Sequence, residues 1–216
     1  MRVDVDPDVV GRREFYALLN SVVVPRPIAW VSSRSADGVL NLAPHSFFTV
    51  SCVQPPMVQF TSVGRKDSLN NVEATGEFVV NFAAEPLYEQ VNASGTNFPP
   101  EVSEFEAVGV HTEPSRTVAV PRVAESPVAI ECTLHTTLEL GDCTLVIGRV
   151  RHLAIEASVM VGDHPEIQRL RPLARLGKNE WSTLGEVRSI TRIRHSDWPG
   201  HFTPPPPDPG RGAAPL

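Results

Sequence analysis

Cysteine is scarce in this chain: Cys52, Cys132 and Cys143 are the only three. An odd number with no Cys-x-x-Cys argues against a disulfide framework and a thiolate zinc site, and it fits a reducing, cytoplasmic compartment. The histidines show neither His-x-x-x-His nor His-Glu-x-x-His spacing, so no metal centre is expected. No apolar run approaches the ~20 residues of a membrane helix, and the acidic start lacks the basic-then-apolar layout of a secretory signal. Basic side chains are outnumbered, with 19 Lys+Arg against 25 Asp+Glu and a net charge of -6, so neither nucleic acid nor an anionic membrane is an expected partner. Gly-x-Ser-x-Gly, Gly-x-Gly-x-x-Gly and Gly-x-x-x-x-Gly-Lys-Ser/Thr are all missing, and with them the common hydrolase, dinucleotide and nucleoside-triphosphate signatures.

Proline, by contrast, is plentiful and uneven. Pro204, Pro205, Pro206, Pro207, Pro209 and Pro215 all fall in the last fourteen residues, so 203–216 reads as a flexible or polyproline-like tail on a domain spanning 1–202. The body reads as mostly β. In Val128–Leu138, Val128, Ile130, Cys132, Leu134 and Leu138 fall on one face, and Glu131, Thr133, His135 and Thr137 on the other. That period of two predicts a half-buried antiparallel strand. Thr144–Ile155 predicts its hairpin partner across Gly141 and Asp142. Ile28–Ser33 and Asn41–Val50 flank the turn signal Asp37-Gly38, and Met57–Thr61 and Glu77–Phe82 add further strands. Short helices are predicted near Arg13–Leu19, over Ser68–Thr75 with Asp67 as N-cap and Gly76 as C-cap, and over Pro86–Val91. Six or more strands with few helices imply a small barrel or sandwich.

Two segments carry chemistry. In Thr61–Asn71 a strand ends, Gly64 turns the chain, and Arg65 and Lys66 precede a helix with Ser68 in its first turn. Free amides, a positive dipole end, two cations and a hydroxyl suit a phosphate. The competing reading is an ordinary helix start, with the Asp67 carboxylate on those amides. In Asn41–Phe48, Pro44 removes a ladder donor. A strand so interrupted exposes backbone groups able to read a planar polar heterocycle, with Asn41, His45 and Ser46 adding donors and acceptors. The competing reading is an edge strand guarded by proline. Glu101 and Glu104 read as a solvated loop pair, Trp30 as core or as a stacking surface, and Cys143 as a turn residue without a basic neighbour to activate it.

Taken in order, Pro25–Ser33, Asn41–Phe48, Gly64–Asn71, Thr75–Asn81, Pro121–Cys132 and Arg171–Trp181 resemble the flavin reductase-like proteins, close to flavoredoxin. The resemblance implies a mainly β fold, an antiparallel Greek-key FMN-binding split barrel with a few short helices, which dimerises with FMN near the subunit interface. It implies that Trp30, Ser32 and Ser33, together with Asn41, Ala43, Pro44, His45 and Ser46, line the flavin. Ser62, Arg65, Lys66 and Ser68 would hold its phosphate, and the loop Asn92–Pro100 would sit at a site edge. Arg175 and Trp181 would lie near the ring, with Arg175, and after it Arg26, as the cation beside flavin N1 and O2. The activity so implied is NAD(P)H-dependent flavin reduction, feeding a flavin-dependent monooxygenase. It needs no acid–base dyad, and no catalytic side chain is assigned. The chain departs from the family pattern at Cys143, where many short members have histidine, at Trp181, where tyrosine is common, and at His45. Three alternatives stay open: a stand-alone FMN enzyme acting on a specific organic substrate, pyridoxamine-phosphate-oxidase-like chemistry, and a flavin or haem carrier.

Overall fold

The segments with the longest period-two alternation become the longest strands. Val128–Leu140 and Cys143–Ile155 pair antiparallel across a two-residue turn in which Gly141 takes φ 64°, a left-handed conformation that glycine adopts without a Cβ penalty. The coordinates are a computed structural model that describes residues 2–198. By internal contacts the chain divides into one unit ending at Leu184 and another beginning at Gly185. The described part of the second unit holds one 3-10 turn, His195–Asp197. The proline-rich stretch from 203 lies outside the described residues.

In the first unit, Ala29–Arg34 (β1), Leu40–His45 (β2), Phe48–Cys52 (β3), Met57–Val63 (β4) and Glu77–Phe82 (β5) join Val128–Leu140 (β6) and Cys143–Ile155 (β7). They form one seven-stranded antiparallel sheet in the order β2-β1-β5-β6-β7-β4-β3. Its two end strands, β2 and β3, are separated in the chain only by Ser46 and Phe47, and the Phe47 carbonyl accepts the Thr61 N–H of β4 at 2.9 Å. The sheet therefore curls until its ends approach, giving the mainly β split barrel expected from the sequence.

The barrel interior is filled by Val31, Val58, Phe60, Phe78, Val80, Cys132 and Val146, with Leu69 and Val72 entering from helix Asp67–Thr75. We number that helix α2, after Arg12–Val22 (α1) and before Tyr88–Ala93 (α3) and Glu104–Ala107 (α4). A second layer packs Trp30 and Leu42 from the other face of β1 and β2 against Leu87, Val91, Phe105 and Leu173. β1 is thus covered on both sides, which explains its unbroken apolar start. Packing is tight where the Phe78 side chain of β5 reaches past β6 to β7. A Cβ placed on Gly148 would lie 2.2 Å from Phe78 Cζ, so only glycine allows this approach.

Two acidic residues correct the expectations drawn from pattern. Glu131 belongs to the polar face of β6 but is fully buried. That face is covered by residues 114–123, whose Val118 and Val120 pack on Val79 and Ala129. Burial pushes the Glu131 carboxyl up, but the Thr117 hydroxyl and the Arg116 and Thr117 amides donate to it and hold it below the usual carboxylate range. Glu104, expected in solvent, is 6% exposed and accepts the Leu42 N–H through Oε2 at 2.9 Å. The N-cap of α2 also shifts by one residue. Lys66, in extended conformation, occupies it with no side-chain cap bond, and Asp67 opens the helix. At the other end Gly76 caps in the left-handed conformation, as expected.

Candidate functional site

The open edge of β2 sets the site. In an antiparallel strand alternate residues direct their backbone groups to the same edge. Leu42 turns its N–H away from β1, toward Glu104, so position 44 faces the same way. Pro44 therefore costs no bond to β1, where it pairs with Trp30, and leaves the open edge without a donor. Burial and the nearby Asp67 charge raise the Glu104 carboxyl above its ordinary range, with the Leu42 N–H acting against them.

Beside this edge stands the uncapped N-terminus of α2. Its first amides lack intrahelical partners, and Lys66 and Ser68 flank them. The Lys66 ammonium donates to Asn97 Oδ1 at 2.7 Å. Ser68 Oγ accepts from Asn41 Nδ2 at 3.0 Å, and Asn41 reaches on to Ser33 Oγ at 3.4 Å. The two features share one cavity of about 260 Å³, in which Asn41, Ala43, Pro44, His45 and Ser46 line one side and Lys66, Asp67 and Ser68 another. The loop after α3 supplies Ser94–Phe98, and α1 supplies Tyr16.

His45 carries the clearest chemical signal in this cavity. Its Nε2 is buried and has no hydrogen-bond partner. Its ring lies 4.6 Å from that of Phe60. Burial, opposed by a hydrogen bond to the Thr61 backbone and aided by the Lys66 charge, lowers its pKa to about 4. His45 is therefore neutral at physiological pH, and Nε2 is a buried polar atom with its hydrogen-bonding capacity unused.

A second cavity, of about 290 Å³, adjoins the first through Pro44, Ser46 and Gly95. Ile28, Asn92, Arg175 and Trp181 complete it. Arg175 and Trp181 lie on the two arms of a small hairpin whose strand Ala174–Arg175 also pairs with Arg26–Pro27.

A sequence profile for the flavin reductase like domain matches residues 21–164. The chain belongs to that family. An uncharacterised protein from Halalkalibacterium halodurans is 38% identical over 200 residues, covering 87% of this chain and 95% of the relative. The structure of nitrilotriacetate monooxygenase component B from Bacillus cereus superposes with a TM-score of 0.85 at 31% identity, covering 88% of this chain and 99% of the other. That of 2-nitrobenzoate 2-nitroreductase from Pseudomonas fluorescens gives 0.84 at 28% identity, covering 89% and 98%.

In this flavin reductase-like chain, the remaining sequence-derived candidates lie outside the first cavity. Trp30 is fully buried, its indole N–H donating to Ser94 Oγ at 2.8 Å, so it braces the cavity's loop from behind. Ser32 donates to the Pro121 carbonyl, and Ser33 accepts from Asn41, which lines the cavity, and from Asn71. Ser62 donates to the Gly64 carbonyl and stabilises the turn before Lys66. Arg65 is directed to Asn70 at 3.0 Å and Glu73 at 2.5 Å. Arg26 donates to the carbonyls of Asn20, Val23 and Leu176, tying the end of α1 to the C-terminal hairpin. Sequence reasoning missed Tyr16, Asp67 and Glu104 as cavity residues. Asp67 was legible as a helix-start acid, whereas Glu104 sits in a four-residue helix with no local motif.

Proposed function

We propose that this chain binds FMN in the first cavity and acts as an NAD(P)H-dependent flavin oxidoreductase. One observation carries the reading: the broken edge of β2 and the cationic, uncapped start of α2 open onto the same cavity. The donor set suits a flavin mononucleotide. Lys66, the Ser68 hydroxyl and the first amides of α2 form an anion site for the phosphate. The orphaned His45 Nε2 pairs with the polar edge of the ring, a demand a buried unpartnered polar atom makes on any ligand it meets. Arg65 stands second to Lys66, turned toward Glu73.

When bound, the flavin supplies two-electron redox chemistry. The chain's own residues bind and orient. Glu104 fixes the open edge of β2 at Leu42, and the Trp30–Ser94 bond anchors the loop that walls the cavity. No side chain needs to move a proton for hydride transfer, so alignment is the protein's main contribution. Delivery of reduced flavin to a flavin-dependent monooxygenase is supported by the similarity to a protein named as component B of one. Direct reduction of an organic substrate is a second reading. Similarity to a named nitroreductase and the presence of the adjoining cavity favour it.

We further infer a homodimer in a reducing, cytoplasmic setting. α1 buries none of its residues, and Leu18, Leu19 and Val22 leave it exposed beside Val23 and Val24. Such a face is typical of an interface, and Tyr16 of the same helix lines the flavin cavity. The visible spectrum of the purified protein, followed by NADH and NADPH oxidation with added FMN, tests the activity. A flavin spectrum and turnover are expected. A colourless protein that ignores FMN and both nicotinamides would refute the reading.

A further inference from the structure

The second cavity has a chemical character of its own. Arg26 and Arg175 are direct partners across an antiparallel pair, so their side chains leave the same face. Among the described residues neither forms an ion pair. Arg26 is spent on carbonyls and reaches Ser46 Oγ at 3.5 Å. Burial and then the charge of Arg175 lower its pKa, with Tyr16 acting against them. Arg175 commits one donor to the Lys178 carbonyl at 2.9 Å and stacks with its Cζ 4.6 Å from the centre of the Trp181 ring. Trp181 is held edge-on by Tyr88 at 5.2 Å and 88°. The cavity thus joins a pre-oriented guanidinium, a fixed aromatic plane, the apolar walls of Ile28 and Pro44, and the Asn92 carboxamide.

We propose that this cavity is a subsite for an aromatic carboxylate, its carboxylate on Arg175 and its ring among Trp181, Ile28 and Pro44. The planar fork of arginine matches a carboxylate in two parallel bonds. Its stacking on Trp181 holds that fork in place before the ligand arrives. The volume lies at the small end of ligand pockets, which span roughly 300–1,000 Å³, and limits the occupant to one or two rings. Gly95 and Pro44 line both cavities and lie close together, a Cβ on Gly95 falling 3.4 Å from Pro44 Cγ. The assignment deepens the second reading above and rests on it for the ligand's role: the shared wall at Pro44 and Ser46 sets the acid beside the flavin, as the substrate to be reduced or as an anchor for one.

Fluorine NMR titration of the purified protein with 4-fluorobenzoate tests the site without turnover, and flavin content is read separately from the visible spectrum. Saturable binding is expected, about tenfold or more tighter than for 4-fluorobenzamide, from the charge-assisted pair. Arg175→Gln should lose about that factor and Arg175→Lys part of it, because a point charge lacks the fork. Equal affinity for acid and amide, unchanged binding in Arg175→Gln, or equal competition by inorganic phosphate would each overturn the proposal. If Arg175→Gln fails to fold, magnetisation transfer from the Trp181 ring to the bound fluorobenzoate in the native protein decides the matter, and its absence refutes the site. A flavin-loaded protein that ignores fluorobenzoate defeats this proposal alone, whereas fluorobenzoate binding without flavin defeats only the flavin reading.

Discussion

Replacing Lys66 by alanine isolates the phosphate end of the proposed flavin site. The ammonium lies at the cavity wall, bound to a neutral acceptor, Asn97 Oδ1, and among the described residues it forms no ion pair. It can therefore turn to a phosphate at the cost of one neutral hydrogen bond. A hydrogen bond to a charged group is worth about 1.5–3 kcal/mol. Trading it for the loss of the Asn97 bond, about 1 kcal/mol, leaves about 0.5–2 kcal/mol, or roughly 2- to 30-fold in Kd. Riboflavin has the same ring and no phosphate, so its affinity should change by less than about twofold on the same scale. Quenching of flavin fluorescence, titrated with FMN and with riboflavin against both proteins, reads the two numbers directly. The loss should shrink as salt is raised, because the Lys66 region is open to screening. Asp67→Asn should act in the opposite sense and tighten FMN, since its carboxylate lines the same cavity. Equal losses for both flavins, or a tighter FMN in Lys66→Ala, would refute the assignment of this end of the cavity.

Three other perturbations test the fold and its assembly. Gly148→Ala forces a methyl against Phe78 and should cost about 1–3 kcal/mol by overpacking, lowering Tm by about 2–12 °C. Gly185→Ala, which meets no atom within 4 Å, serves as the control. Glu104→Gln tests the raised carboxyl through urea melts at several pH values. The folded state holds this proton more tightly than the unfolded chain, so the group's stabilisation is complete below the ordinary carboxylate range and fades as pH climbs through the raised value. The amide cannot ionise, so the stability difference should grow in its favour across that window, and a flat difference would contradict the shift. Leu19→Glu with Val22→Glu places charge on the exposed face of α1 and should convert a species of about twice 23.6 kDa on gel filtration into one of single mass. An unchanged elution volume would remove α1 from the interface.

The strands and α2 were legible because each writes its burial into its own sequence. The alternation in Val128–Leu140, the Asp37-Gly38 turn and the Gly76 cap are local signals with local causes. Glu131 and Glu104 were not legible, because distant chain buries them. Glu131 follows the polar phase of its strand and is covered by a loop whose amides replace water. Glu104 answers a single N–H that lies 62 residues earlier in the chain. Arg26, between two prolines, reads as an exposed turn. It is buried because a two-residue strand about 150 positions later brings the Leu176 carbonyl to it. Arg175 was legible as a cation near the site, but only the register of that short strand separates its cavity from the one that holds Lys66.

Glu104 and the cavity beside it trace to one cause, the open edge of β2. An unpaired strand edge is a liability, since its exposed donors and acceptors invite another chain. Here each outward-facing position is dealt with separately. Leu42 gives its N–H to a buried carboxylate, and position 44 has no N–H to give. Next to it, His45 keeps Nε2 buried and unpartnered within the cavity. An edge protected only against aggregation would need the first two devices. The third costs stability, because a buried polar atom without a partner loses its hydration and gains nothing. A ligand that pairs with Nε2 recovers that loss, so the same edge that cannot pair with a strand is left able to pair with a flat molecule carrying polar groups on its rim.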